Sequence, residues 1–406
     1  MLMLPLLAML LLLAVAYALS TDRSAVSLRT VGGAFALQLG IGALALYVPA
    51  GRAALERLSV TVSSILAYAQ VGIEFVFGDI GRYEVGFVFA FHVLPVIIFF
   101  SSLVAVLYHI GVMGWVIRMV GGALRALLGT SRAESMSATA NVFVSQTEAP
   151  LVIKPYIATM TRSELFAVMV GGMATVAGSV LAGYVALGVE MRYLLAASFM
   201  AAPGGLLMAK LMVPETGRPD EVGEEFHLSR EEHVNIFDAA ASGATNGLNL
   251  AVNIAAMLLA FVALIALLNG LLGWLGGFAG FDTLSLQGIL GTLFRPLAYL
   301  LGVPWNEAAV AGNLIGQKLV LNEFVAFAGF YEDRSVLGAH SQAVVSFALC
   351  GFANFSSIAI LLGGLGTLAP VQRPVIASLG LRAVAAAFMA NLLSAAIASF
   401  FLLLAA

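Results

Sequence analysis

Gln146, Thr147 and Glu148 stand in a row within NVFVSQTEAPLVIKPY (141–156), beside Asn141, Ser145 and Lys154 and between the helix breakers Pro150 and Pro155. Three consecutive side chains on a tight turn bring an amide, a hydroxyl and a carboxylate to one small volume. Together they offer both donors and acceptors. That set can read the edge of a neutral polar molecule such as a nucleobase. The segments on either side are apolar enough to lie in lipid, where a carboxylate costs roughly a few kcal/mol and must face protein, water or a ligand. Backbone broken by proline is tolerated at that depth only where it lines a cavity or is packed by protein.

A second set lies further along. Glu323 falls in AGNLIGQKLVLNEFVAFAGF (311–330), and Asn354 and Ser357 fall in GFANFSS (351–357). Asn354 and Ser357 are three apart and share a helix face. With Glu323 they suit a vicinal diol, the carboxylate accepting two hydroxyl protons while the amide donates back. Phe352 is a candidate stacking surface. Taken singly, each group has a plainer explanation. Asn354 and Ser357 suit interhelical hydrogen bonds, Glu148 or Glu323 could pair with Lys154 or Lys318, and the lysines could snorkel to an interface. The joint occurrence in two broken-helix settings favours a ligand site.

A coupling ion also finds ligands. Asn141, the Val144 carbonyl, the Thr175 hydroxyl and the Val176 carbonyl supply the oxygens that sodium takes from unwound backbone. Proton coupling through Glu148 or Glu323 is the rival. A membrane-embedded hydrolase using the same two carboxylates as acid and base is a distant third, without a nucleophile motif or metal ligands.

These residues sit in a chain of 406 residues that is 61% hydrophobic and 10% charged. Soluble domains average about 45–50% apolar and roughly 25% charged, so the composition is that of an integral, multi-pass membrane protein. A net charge of −3 without a basic cluster excludes a nucleic-acid partner. The single Cys350 excludes internal disulfides, and the five histidines form no HExxH pair. No cofactor is expected beyond the coupling ion.

The apolar pattern predicts spans at about 2–20 (an attached first helix, lacking the basic start of a signal peptide) and 31–49, then an interfacial helix at 51–61. A third span is expected at 62–77, and 85–116 reads as one long helix kinked at Pro95. Residues 135–161 are too short and too broken for two spans and read as a re-entrant hairpin. Spans follow at 163–189, interrupted by the small-residue run GGMATVAGS, and at 192–208. The segment 214–236 is the one long polar loop. A long apolar helix runs from 237 to about 272, and a short apolar segment occupies 287–303. A second hairpin lies at 311–330, an interrupted span at 343–366, and a last span at 375–404. A polar hairpin followed by an interrupted span, occurring twice, is the pattern of secondary transporters with internal repeats, whose substrate sites form where the broken segments meet.

GQKLVLNEFVAF (316–327) resembles the signature of the concentrative nucleoside transporters, and NVFVSQTEAPLVIKPY resembles their first hairpin. SILAYAQVGIEFVFG, FHVLPVIIFFSSL and GFANFSSIAI resemble further segments, so the likeness covers nearly the whole chain. The resemblance implies a homotrimer of all-α protomers with about eight transmembrane helices and two re-entrant hairpins, divided into a scaffold and a mobile transport domain. The implied division is 1–116 for the first helices and part of the scaffold, and 117–213 for the first hairpin, its broken helix and the helix that follows. The polar loop is 214–236, the long scaffold helix 237–285, the second hairpin and broken helix 286–370, and the last helix 371–406. Gln146, Thr147 and Glu148 would contact the base with Val180 nearby, and Glu323, Asn354 and Ser357 the ribose with Phe352 close by. Asn141, Val144, Thr175 and Val176 match the sodium site. Ser145 stands where many members have Gly, a position implied to tune pyrimidine against purine preference. Thr175 replaces the usual Ser and keeps the hydroxyl. The implied activity is sodium-coupled uptake of uridine-like nucleosides by an elevator motion, with purine nucleosides as a second candidate class, in the bacterial inner membrane.

Overall fold

A computed structural model describes residues 1–82, 84, 86–219, 233–278 and 284–405. Every described regular element is helical. The chain begins with α1 (Met3–Ala18), α2 (Leu28–Leu46), α3 (Pro49–Ala67) and α4 (Ala69–Phe77), followed by α5 (Phe89–His92), α6 (Leu94–His109) and α7 (Val112–Leu128). The first hairpin is α8 (Arg132–Ala140), an irregular tip, and a 3-10 stretch from Ala149 to Thr159 that holds Pro150 and Pro155. Then come α9 (Arg162–Ala174), α10 (Gly178–Ala186), α11 (Met191–Met212), α12 (Ile236–Phe278) and α13 (Leu286–Leu300). The second hairpin is α14 (Ala308–Val320) and α15 (Glu323–Asp333). The chain closes with α16 (Ala339–Leu349), α17 (Ser356–Gly363), α18 (Leu365–Leu368) and α19 (Arg373–Ala405).

Among the described residues, seven helical stretches are long and apolar enough to cross a membrane: Leu28–Leu46, Pro49–Ile80, Phe89–His109, Arg162–Ala186, Met191–Met212, Ile236–Phe278 and Pro370–Ala405. The shorter apolar α1 packs Ala8, Met9, Leu12 and Ala16 inward, and Arg382 of α19 donates to Leu19 O at 2.9 Å just beyond its end. The stretches differ in burial. The apolar window of Arg162–Ala186 is 100% buried, against 11% for that of Pro49–Ile80 and 17% for that of Ile236–Phe278. The broken helix therefore lies inside the protein, while α3, α4 and α12 present apolar side chains outward.

Two expectations about the elements change. No breaker separates 51–61 from 62–77, so an interfacial helix and a third span merge into α3 and α4 as one stretch, Pro49–Ile80. Pro49 starts it, as proline does at a first helical turn. The long helix at 85–116 divides instead. Pro95 sits in the first turn of α6 rather than at a mid-helix kink, and Gly111 (φ 86°) ends that helix and starts α7 in a left-handed conformation. The amphipathic helix of this region is α7, which buries Met113, Ile117, Gly121, Leu124 and Leu128 on one side. The polar loop expected at 214–236 lies, for 220–232, outside the described residues.

Side chains fix the hairpin arms. Ser131 and Glu134 form a capping box at the start of α8, and Thr161 and Glu164 form another at the start of α9. Lys210 of α11 pairs with Glu134 and donates to Ser163 Oγ at 2.9 Å, so one buried ammonium ties both helix starts to α11. Removing one partner of such a pair leaves an uncompensated charge.

Candidate functional site

Each break has a local cause. α9 stops at Ala174 because Thr175 turns extended (φ −102°, ψ 170°) and its Oγ1 donates back to Gly171 O at 2.9 Å, which satisfies one of the helix's terminal carbonyls. α10 restarts at Gly178, whose N–H donates to Phe143 O at 3.0 Å and so pins the first hairpin tip against the break. In the second copy α16 stops before Cys350, and Asn354 Oδ1 accepts from Ser357 N at 3.0 Å, capping the start of α17. Within the second hairpin, extended Asn322 accepts from Val325 N at 2.9 Å and starts α15, which places Glu323 at a helix N-terminus where a carboxylate is favoured.

The two breaks touch. Phe352 N donates to Thr175 O at 3.1 Å, joining the interrupted segments through their backbones. Around this crossing, Asn354 Nδ2 donates to Glu323 Oε2 at 3.0 Å, and its Oδ1 also accepts from Ser356 Oγ at 2.6 Å. Ser357 Oγ donates to Phe352 O at 2.5 Å. Gln146 reaches across from the first hairpin, its Nε2 donating to Ser357 Oγ at 3.4 Å. Glu323, Asn354, Ser357 and Gln146 are all buried and form one connected polar set. The Phe352 ring is partly exposed beside it.

The other hairpin residues are arranged less uniformly than their adjacency implies. Thr147 is half-buried, with its Oγ1 3.0 Å from Ser145 Oγ. Glu148 is exposed, and its carboxylate turns back to accept from Ser145 N at 3.0 Å. Only Gln146 of the three reaches the second copy through a hydrogen bond. Val180 is buried near the start of α10, where its N–H donates to Ala177 O at 3.0 Å. Neither proposed ion pair forms: Lys154 is exposed, and buried Lys318 donates to Ala348 O and Asn391 Oδ1 instead.

Asn141 and Val144 lie at the end of α8 and on the hairpin tip, and Thr175 and Val176 in the first break, which the Gly178 N to Phe143 O bond holds against that tip. Asn141 is fully buried; its Nδ2 donates to Ser137 O at 2.9 Å, and its Oδ1 is an acceptor with no donor. A β-carbon at Gly172 would lie 3.7 Å from that oxygen and 2.9 Å from Gln146 Cβ, so glycine lets the hairpin tip lie against α9. Among the described residues no donor reaches the Val144 or Val176 carbonyl. Orphaned buried acceptors of this kind fit a cation.

One contributor, Tyr184, and the hydrogen-bonding role of another, Ser145, escape a reading of the sequence. Tyr184 of α10 is fully buried against Phe324 and Phe327, with ring centroids 5.1 and 4.2 Å away, and forms an aromatic wall behind Glu323. Ser145 supplies both the amide that holds Glu148 and the hydroxyl beside Thr147. The first carries no motif signal, and the second gains its role only from the shape of the turn.

Known proteins share this architecture. Family models described as "Na+ dependent nucleoside transporter N-terminus", "Nucleoside recognition" and "Na+ dependent nucleoside transporter C-terminus" match residues 7–80, 90–191 and 193–399. An uncharacterized transporter of Haemophilus influenzae is 54% identical over 98% of this chain and 97% of its own length. Nucleoside permease NupC of Helicobacter pylori is 49% identical over 96% of this chain and 95% of that protein. The structure of CNTnw in an inward-facing substrate-bound state superposes with a TM-score of 0.95 at 55% identity, covering 100% of this chain and 99% of that one. An outward-facing CNTnw variant superposes equally well, at 0.95 and 54% identity over 100% and 98% of the two chains. These relatives are transporters, which sets the hydrolase reading aside. The chain belongs to the family of sodium-dependent, concentrative nucleoside transporters.

Proposed function

We propose that this protein takes up nucleosides, uridine among them, by sodium symport, with the two hairpins and two broken helices moving as a transport domain against a scaffold. The carrying observation is the buried polar set that spans both copies: Gln146 Nε2 to Ser357 Oγ at 3.4 Å and Asn354 Nδ2 to Glu323 Oε2 at 3.0 Å. In this reading Gln146, Thr147 and Glu148 contact the base, with Val180 lining the pocket. Glu323, Asn354 and Ser357 hold the ribose hydroxyls, with Phe352 beside them. Glu148 holds Ser145 N through Oε2 alone, so its other carboxylate oxygen is available to accept from the base. The donorless Asn141 Oδ1, the Val144 and Val176 carbonyls and Thr175 Oγ1 supply the sodium site.

The scaffold comprises 1–116 and 237–285, the moving parts 117–213 and 286–370, and residues 371–406 close the fold. The protein works as a homotrimer in a bacterial inner membrane, and the outward apolar faces of α3, α4 and α12 supply surface for lipid and partner subunits. Alternating access is supported by the likeness to CNTnw in both inward- and outward-facing states.

The test is uptake of radiolabelled uridine into proteoliposomes under an imposed sodium gradient and, separately, under a pH gradient. Accumulation above equilibrium under the sodium gradient alone is expected. Accumulation driven only by the pH gradient would overturn sodium coupling, and no accumulation of any nucleoside under either gradient would overturn the function.

A further inference from the structure

Lys318 is fully buried and belongs to neither candidate ligand set. Its Nζ donates to Ala348 O at 2.8 Å and to Asn391 Oδ1 at 2.5 Å, and it lies 5.6 Å from the centre of the Phe388 ring. Among the described residues no carboxylate comes within ion-pair distance of it. Asn391, on α19, uses its other end as well: Nδ2 donates to Ala174 O at 2.6 Å and to Cys350 O at 3.1 Å.

The acceptors share one property. Ala174 is the last residue of α9, Ala348 and Cys350 lie at the end of α16, and Lys318 itself is in the last turn of α14. Three helix carboxyl ends therefore converge on one buried ammonium and one amide. Each such end carries unpaired carbonyls and about half a negative charge. Brought together away from water, they repel one another unless a cation lies among them. Backbone bonds join the same ends, with Phe352 N donating to Thr175 O at 3.1 Å and Phe355 N to Leu319 O at 3.2 Å. Gly351 makes the room, since a β-carbon there would collide with the Asn391 side chain and lie 2.8 Å from Ala174 O.

We infer that Lys318, acting through Asn391, is a positioning residue: a tethered cation that locks the first break, bearing Thr175 and Val176, to the second, bearing Phe352 and Asn354. The lock makes sodium at the first break organise the nucleoside ligands at the second. This inference rests on the sodium and nucleoside assignments proposed above.

The experiment measures uridine Kd by calorimetry on the purified full-length protein, in saturating sodium and in choline. Wild type should bind uridine about tenfold or more tightly in sodium, within the usual range of coupling between sites. Lys318→Met keeps the length of the side chain and removes the charge. Its uridine Kd in choline should stay within about threefold of wild type, while the sodium effect falls below about twofold. Asn391→Asp keeps an acceptor for Lys318 and loses both donations to the helix ends, so it should lose the sodium effect likewise. It carries the test should Lys318→Met not fold. A full sodium effect in either folded variant overturns the inference, as does an equal loss of affinity in both media, the mark of a merely structural role. If wild type binds uridine without regard to sodium, the sodium assignment fails and takes the lock with it. A sodium effect in wild type that the variants preserve refutes the lock alone.

Discussion

The first break and the second are built on one plan and filled with different chemistry. At the first, Thr175 Oγ1 gives its proton to Gly171 O, and among the described residues no donor reaches Asn141 Oδ1 or the Val144 and Val176 carbonyls. At the second, Asn354 donates to Glu323 and accepts from Ser356 and Ser357, so donors and acceptors alternate. A pocket of acceptors alone suits a bare cation, whereas a mixed set suits a molecule that carries hydroxyls. The two copies of a hairpin and a broken helix thus differ in donor and acceptor content, and that difference is the basis for the proposed assignment of the ion to the first and the sugar to the second.

The comparison breaks most completely at Glu323. Glu323→Gln removes the charged acceptor at the head of α15, and uptake should fall by about two orders of magnitude, since hydrogen bonds to charged groups contribute roughly 1.5–3 kcal/mol. Size-exclusion chromatography should show an unchanged assembly. Near-normal uptake in that variant would remove Glu323 from the site. At the first break, Asn141→Leu fills the donorless position with an apolar group. The sodium concentration for half-maximal uptake should rise about tenfold or more, with nucleoside KM at saturating sodium moving less. A shift confined to nucleoside KM would reverse the assignment of the two breaks.

Gln146 joins the copies, and Gln146→Ala should raise nucleoside KM about fivefold to tenfold, as expected for loss of about one hydrogen bond. A change in sodium dependence with KM untouched would place Gln146 with the ion. The smallest effect sharpens the comparison by its absence. Lys154, in the same stretch, is exposed and should tolerate Lys154→Ala with uptake within about twofold of wild type, as exposed positions usually do.

Much of this was legible in the sequence because lipid makes polar groups conspicuous. A carboxylate between prolines at membrane depth has few permitted explanations, so the tips around Glu148 and Glu323 mark themselves. Both interrupted spans follow from runs of glycine and small residues. The orientation of adjacent side chains was not legible. Gln146, Thr147 and Glu148 are neighbours in the chain, yet the turn sends the first inward, the second to Ser145 and the third back onto Ser145 N. The Lys318–Asn391 contact spans 73 positions, and no periodicity connects them. The boundaries of the outer helices carry no hydropathy signal: one helix runs from Pro49 to Ala67, so the division expected between 51–61 and 62–77 does not occur there.

The division of labour between the copies is tested most directly by a paired comparison of uridine and 2′,3′-dideoxyuridine as competitors, in wild type and in Glu323→Gln. A site built to bond hydroxyls rejects an analogue lacking them because its own buried groups are left unpaired. Wild type should prefer uridine by about a hundredfold or more, and residual binding to the variant should distinguish the two by less than about fivefold. If Glu323→Gln keeps the full preference for uridine, the sugar is held elsewhere and the second break is not its site.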